Sequence, residues 1–252
     1  MWAVGYSGNQ TFILRWNGSQ WTPEPAQPGS LYGLRAIATN DVWAVGNVLS
    51  ETLTMHWNGN EWTRKPSPNP GTGNHRLNDV DATGPNDVWA VGAADGGPNV
   101  GLILRWNGTQ WTQMPTPGGE LFAVSSFAPN DVWTIRAGTS IEDPIHMLHW
   151  DGSQWAVQTP PPVVADVWWL EDLVAVSSNE VWATGWKFNP ARTGNSLIER
   201  YVGSCQTATP TAVATATGTA TRTATRTATP ATATPTNAPG GTTTSIPPTH
   251  TV

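Results

Sequence analysis

Asn86-Asp87-Val88-Trp89-Ala90-Val91-Gly92 is the stretch from which the fold is read, because close copies of it stand at residues 40–46, 130–136 and 179–185. A shorter copy, Trp2-Ala3-Val4-Gly5, lies near the N-terminus. Successive Trp residues of these copies are 41, 46, 44 and 49 positions apart, and self-similarity at a period of about 40 to 50 residues marks a repeat architecture. The unit extends beyond the heptamer. Nine residues before each later Trp stands Leu34, Val80, Val124 or Leu173, and three before that Leu31, Leu77, Leu121 or Leu170. Downstream comes a second hallmark, Trp16-Asn17-Gly18, Trp57-Asn58-Gly59, Trp106-Asn107-Gly108 and Trp150-Asp151-Gly152, each followed by Trp21, Trp62, Trp111 or Trp155.

Each unit reads as four short strands. The first begins at Leu31 or its equivalents, with Leu34, Ala36 and Ala38 expected to alternate as in a half-buried strand. The second carries the heptamer, reached through an Asn-Asp turn whose residues tolerate left-handed backbone angles. The third ends at the Trp of the second hallmark, where Asn-Gly or Asp-Gly predicts a tight hairpin. The fourth carries the following Trp and stops at Pro-rich sequence, where missing N–H donors end the ladder. A lone sheet of this kind leaves two apolar faces open, and stacking copies around an axis covers both. The expected fold is therefore all-β, a β-propeller of four-stranded antiparallel blades. Its first unit lacks a first strand and its last lacks a clear fourth, so about five blades are expected, or part of a larger ring of six or seven.

The NDVWAVG and WNG-x-x-W repeats resemble those of bacterial surface-exposed β-propellers of the kelch and galactose-oxidase-like group, over residues 1 to 203. The resemblance implies architecture rather than a particular chemistry, since one fold hosts many functions.

Composition divides the chain near Gly203. All 16 Trp and every Asp and Glu precede it; beyond it Thr, Ala and Pro dominate, with only Arg222 and Arg226 bearing full charges. The expected domains are a propeller at 1–203 and a disordered tail or linker at 204–252, because such a tail cannot bury enough apolar surface to offset its ordering entropy. Ser/Thr-rich tracts with Pro resemble the stalks of cell-surface proteins, so an extracellular or surface location is expected. No signal-peptide pattern occurs, and Met1 leads straight into a repeat, which fits a truncated reading frame with any export signal upstream. A formal charge of -6 argues against nucleic acid. No run of apolar residues is long enough for a membrane span, and the single Cys205 cannot form an internal disulfide. A monomer is expected.

Residues repeated in every unit are expected to serve the blade, and function is expected where units differ. By this rule Asp41, Asp87, Asp131 and Glu180 are turn residues, as are Asn17, Asn58, Asn107 and Asp151. A basic or imidazole position precedes the third-strand aromatic throughout: Arg15, His56, Arg105, His149 and Arg200. It is expected to pack on a Trp by cation–π contact or to pair with the turn acid. No metal or cofactor is expected: His56 and His149 lack ligand spacing, and Asp95-Gly96-Gly97-Pro98-Asn99 is too short for a calcium loop.

The first and third turns of a four-stranded meander share one edge, and the second turn and the link between blades share the other. Here the first edge is uniform and the second varies. Candidate ligand-binding residues on the variable edge are Asn74, His75, Asp95, Asn99, Glu142, Asp143, Lys187, Arg192 and the three Trp outside the repeat, Trp168, Trp169 and Trp186. The leading expectation is a non-enzymatic module binding a glycan or protein. The alternative is a glycoside hydrolase or polysaccharide lyase using carboxylates such as Glu120, Glu142, Asp143, Glu171 and Asp172.

Overall fold

A computed structural model describes residues 1–25, 27–95, 101–137, 145–158, 167–188 and 194–202, and of 167–169, 187–188 and 194–195 the backbone alone. The described residues form five antiparallel sheets in chain order. The first contains β1 (Trp2–Ser7), β2 (Gln10–Trp16) and β3 (Trp21–Pro23). The second contains β4 (Ser30–Ala38), β5 (Asp41–Val48), β6 (Glu51–Trp57) and β7 (Trp62–Arg64). The third contains β8 (His75–Gly84), β9 (Asp87–Ala94), β10 (Gly101–Trp106) and β11 (Trp111–Met114). The fourth contains β12 (Leu121–Ala128), β13 (Asp131–Arg136), β14 (His146–Trp150) and β15 (Trp155–Gln158). The fifth contains β16 (Val167–Ser177), β17 (Glu180–Phe188) and β18 (Gly194–Val202). The outer two are three-stranded among the described residues, as the incomplete end repeats predicted.

The sheets stack in sequence. β1 lies against β4, β4 against β8, β8 against β12 and β12 against β16. These strands approach one another most closely, as the inner edges of radially arranged blades must.

The heptamer Trp makes each junction. Trp2 meets Trp57 and Trp62 of the second sheet at 5.0 and 5.3 Å between ring centroids. Trp43 meets Trp106 and Trp111 of the third at 4.9 and 5.2 Å. Trp89 meets Trp150 and Trp155 of the fourth at 5.7 and 5.9 Å, and Trp133 meets Tyr201 of the fifth at 5.1 Å. The two sequence hallmarks are thus the two halves of one contact: the first supplies a knob, the second a socket on the next blade. Trp43, Trp89 and Trp133 are at most 1% exposed. Burying about 150 to 250 Å2 of aromatic side chain contributes up to about 4 to 6 kcal/mol per junction. The indole N–H groups of Trp43 and Trp89 are buried without an acceptor, at a cost of about 1 to 3 kcal/mol each. Burial wins.

The first strands depart from simple alternation. Leu31, Leu77, Leu121 and Leu170 are buried, but Leu34 is only half-buried and Ala36 and Ala38 are exposed. The cause is a pair of register shifts in every first strand, in β4 between Leu31 and Gly33 and again between Ala36 and Ala38. Each extra residue turns the following side chains to the opposite face. The bulge also explains the last residue of the heptamer. Gly46 and Gly92 pair with Leu31 and Leu77 just before the bulge, and a Cβ there would collide with the carbonyl oxygen of Ser30 or Arg76.

Candidate functional site

The two edges of the blades have different chemistry. On one edge, Asn17, Asn58, Asn107 and Asp151 each accept hydrogen bonds at Oδ1 from the backbone N–H groups two and three residues ahead, at 2.8 to 3.0 Å. The intervening Gly18, Gly59, Gly108 and Gly152 have φ between 96° and 105°, a region L side chains disfavour. Each of the later three turns rests against the first turn of its own blade, Gly59 on Asn40, Gly108 on Asn86 and Gly152 on Asn130. This edge is a row of closed structural turns.

The basic ring just inside it is also structural. His56, Arg105, His149 and Arg200 stand directly opposite Trp43, Trp89, Trp133 and Trp182 on the neighbouring strand of the same sheet. His56 and His149 stack on their Trp at 4.4 Å. Arg105 lies 4.7 Å over Trp89, and Arg200 lies 5.5 Å over Trp182. Each is also paired with the turn acid: His56 with Asp41, Arg105 with Asp87, His149 with Asp131 and Arg200 with Glu180. Both expected contacts are therefore made together. Arg15 bridges Trp2 and Trp57, at 5.3 and 5.2 Å.

The other edge gathers the unlike residues. Asn74, in the link between the second and third blades, donates to Asp95 Oδ2 at 3.2 Å and accepts from Ser50 Oγ at 3.0 Å. Both Asn74 and Asp95 are exposed, so the link and the second turn meet as the meander requires. His75 does not join them as a ligand-binding group. It is 4% exposed, with Nδ1 2.9 Å from the Ser50 carbonyl oxygen and Nε2 2.7 Å from that of Pro70. Its adjacent strand position turns the ring inward, where it ties the link to the blade. Trp186 is 43% exposed. In the backbone register Trp169 stands opposite Trp186, and Trp168 opposite Lys187. The side chains of Trp168, Trp169 and Lys187 lie outside the described residues, as do Asn99, Glu142, Asp143 and Arg192 altogether.

Beside Asn74 and Asp95 the structure assembles a group spanning four blades, most of it drawn from the starts of the first strands. Arg76 pairs with Glu120 of the fourth blade, and Asn78 Nδ2 donates to the same carboxylate at 2.9 Å. The hydrogen bond and charge of Glu120 hold the Arg76 guanidinium above its ordinary pKa against partial desolvation, with smaller help from Asp95 and Tyr32. Tyr32 donates to Asn47 Oδ1 at 2.9 Å, and its ring meets Tyr6 edge-on at 5.7 Å. Tyr6 and Tyr32 are 58% and 44% exposed. Exposed aromatic faces thus lie beside charged and amide groups. Sequence reasoning looked to the loops and missed Tyr6, Tyr32 and Arg76. The available signal was the position after the first-strand Leu, which reads Tyr32, Asn78, Phe122 and Glu171 and differs in every unit.

Further along the inner strands, carboxylates staple blade to blade. Asp79 Oδ2 accepts from the Val124 N–H at 2.9 Å, and Asp81 Oδ2 accepts from the Ser126 N–H at 2.6 Å while pairing with Arg35. Ser125 Oγ continues the pattern by accepting from the Ala175 N–H at 3.0 Å. Burial pushes Asp79 up to about 7, against the lowering effect of the Val124 hydrogen bond, with the charges of Asp172 and Asp81 adding to the rise. Asp81 is raised too, by desolvation, against the lowering effects of the Ser126 hydrogen bond and the Arg35 charge. Among the described residues no group of three or more His, Cys, Asp or Glu could hold a metal ion. Nor is any described helix long and apolar enough to cross a membrane.

No protein-family model and no curated protein matches the chain. Solved structures do match it. The WD40 repeats of RRP9 superpose with a TM-score of 0.52 and 12% identity, over 79% of this chain and 63% of that one. The SapL1 lectin in complex with alpha methyl fucoside gives a TM-score of 0.52 and 14% identity, over 80% of this chain and 76% of that one. An Aleuria aurantia lectin mutant in complex with Fucalpha1-6GlcNAc gives 0.50 and 11%, over 77% and 72%. At such identities the likeness is one of fold. The fold is a β-propeller. This propeller spans less than two thirds of the RRP9 chain it matches.

Proposed function

We propose that this propeller is a non-enzymatic binding module, displayed outside the cell, that takes a glycan on its variable edge. The observation that carries the reading is the exposed Tyr6 and Tyr32 pair beside Arg76, Glu120, Asn47, Asn74 and Asp95. Sugar rings present a C–H face that stacks on an aromatic ring and a rim of hydroxyls that suits fixed amide, carboxylate and guanidinium groups. Two solved propellers of similar fold are lectins with fucosides bound, which favours glycan over protein as the first ligand to seek. The Thr-, Ala- and Pro-rich sequence after residue 203 supports an extracellular or surface location, and so does the likeness of the repeats to kelch and galactose-oxidase-like surface propellers.

A carboxylate-driven hydrolase or lyase is the competing reading. Glu120 is already engaged by Arg76 and Asn78, and Asp172 accepts from its neighbour's N–H at Leu173. Glu120, held by two partners, does not stand free as half of an acid pair. The test is a glycan array probed with the full chain, followed by incubation of every hit and chromatography of the products. Retention of the sugar intact supports the binding reading. Cleavage of a hit, or a wholly negative array, overturns it.

A further inference from the structure

Every blade junction uses the same two faces. The forward face presents the heptamer Trp, the residue two beyond it, and a third-strand residue; the backward face of the next blade presents the Trp pair of the second hallmark, or Tyr201 in the fifth blade, and the apolar residues beside it. At the four internal junctions the forward residues are buried, apart from Trp2 and Val4 of the first blade, which are half-buried. Ile13, Thr54, Ile103 and Met147 occupy the third-strand forward position and are 1%, 0%, 0% and 3% exposed. At the equivalent place in the fifth blade, Ile198 is 69% exposed. Val45, Val91 and Ile135 are fully covered, whereas their counterpart Thr184 is exposed. Trp182 is 37% exposed where Trp43, Trp89 and Trp133 are at most 1%, and Val174 beside it is 50% exposed. The fifth blade therefore offers an unused knob.

The first blade offers the unused socket. Trp16 and Trp21 make the same tilted pair, at 5.6 Å, as Trp106 with Trp111 at 5.8 Å and Trp150 with Trp155 at 5.6 Å. The latter pairs each receive the Trp of the preceding blade. Trp21 is 40% exposed and Phe12, in the position of the buried Leu53 and Leu102, is 49% exposed. Among the described residues no aromatic contact joins Trp182 to either.

We propose that the free forward face of the fifth blade docks on the free backward face of the first blade in a second copy of this chain, head to tail. The occupant follows from the chemistry of the first three junctions. What covers Trp2, Trp43 and Trp89 is a WNG-x-x-W pair, and Trp16 with the 40% exposed Trp21 is a further such pair. Two open halves of one interface on one molecule make a heterologous contact, which closes into a ring or extends. The sequence reading of a monomer had no view of these ends, because only burial distinguishes Trp182 from its three covered equivalents.

Sedimentation velocity of the full chain across a wide range of concentration tests this, with Trp182→Lys, Ile198→Lys and Trp21→Lys compared after circular dichroism confirms their strand signal. The expected result is a mass at least twice that of one chain for the wild type. Each variant alone should weaken association about ten-fold or more, as losing a central interface anchor does. An equimolar mixture of Trp182→Lys with Trp21→Lys should recover a dimer, because one intact junction remains between the two variants. A wild type that stays monomeric overturns the proposal, whether or not Trp182 is shielded from an added quencher by another part of its own chain. Association that survives Trp21→Lys overturns it as well, since it would mean that two fifth blades meet face to face. Failure of the mixture to recover a dimer does the same.

Discussion

Arg105 shows how much one side chain can carry when its position is set by register. It stands opposite Trp89, lies over that ring, and donates through Nε to Asp87 Oδ1 at 2.7 Å. Replacing it by Met keeps much of the apolar stem but leaves the half-buried Asp87 with Thr83 as its remaining side-chain partner. The Arg105→Met protein is expected to lose about 1 to 2 kcal/mol in a denaturant titration while keeping its ligand affinity. Asp79 behaves differently, because its folded-state pKa lies near 7, above the ordinary 3.8. The folded protein therefore holds this proton more tightly than the unfolded chain does. The resulting stabilisation is present in full below the ordinary value, shrinks as pH rises from there to about 7, and above that the buried charge is a cost. Asp79→Asn should thus raise Tm at pH 8 by about 2 to 4 °C and give much less at pH 4. Thermal scans at the two pH values decide it, and an equal shift at both contradicts the assignment. The basic ring was legible from sequence, since its residues recur with the turn acids. Asp79 was not, because which face it takes depends on a bulge that no periodicity announces.

At the level of strands, the hairpins were the most legible features. Asn-Gly and Asp-Gly name their own turn geometry, and all four third turns close as that chemistry requires. The first strands were the least legible. Their bulges reset the alternation, so Leu34, Ala36 and Ala38 read as a buried stripe and are not one. The same bulges gave a visible but unread signal in the Gly that ends the heptamer. The fourth blade, with Arg136 in its place, pairs differently: its register runs from Leu121 directly to Val124 rather than through a residue like Gly33. Gly92→Ala is accordingly expected to cost about 2 kcal/mol or more, because the added Cβ meets backbone rather than a movable side chain. A change below about 0.5 kcal/mol, the usual range for a surface substitution, would show that the first strand shifts freely.

Across the molecule, the fold class was legible because Trp knobs and sockets recur together, and stacking is the arrangement that satisfies both. The candidate site was legible only by its edge. The rule that function lies where units differ singled out Asn74, Asp95 and Trp186, which are exposed, but it also took His75, which is buried, and it passed over Tyr32 and Arg76. Those two project from the starts of inner strands, and only the radial arrangement brings Arg76 to Glu120 of the next blade and Tyr32 to Tyr6 of the preceding one. The central claim is that one edge binds and the other holds the blades. It is tested most directly by measuring the affinity of an array-identified glycan for two variants in parallel: Tyr32→Ala on the variable edge and Gln110→Ala in the third turn of the uniform edge. Tyr32→Ala is expected to lose about ten-fold or more in affinity, with Gln110→Ala unchanged. An unchanged Tyr32→Ala together with a weakened Gln110→Ala would contradict the central claim.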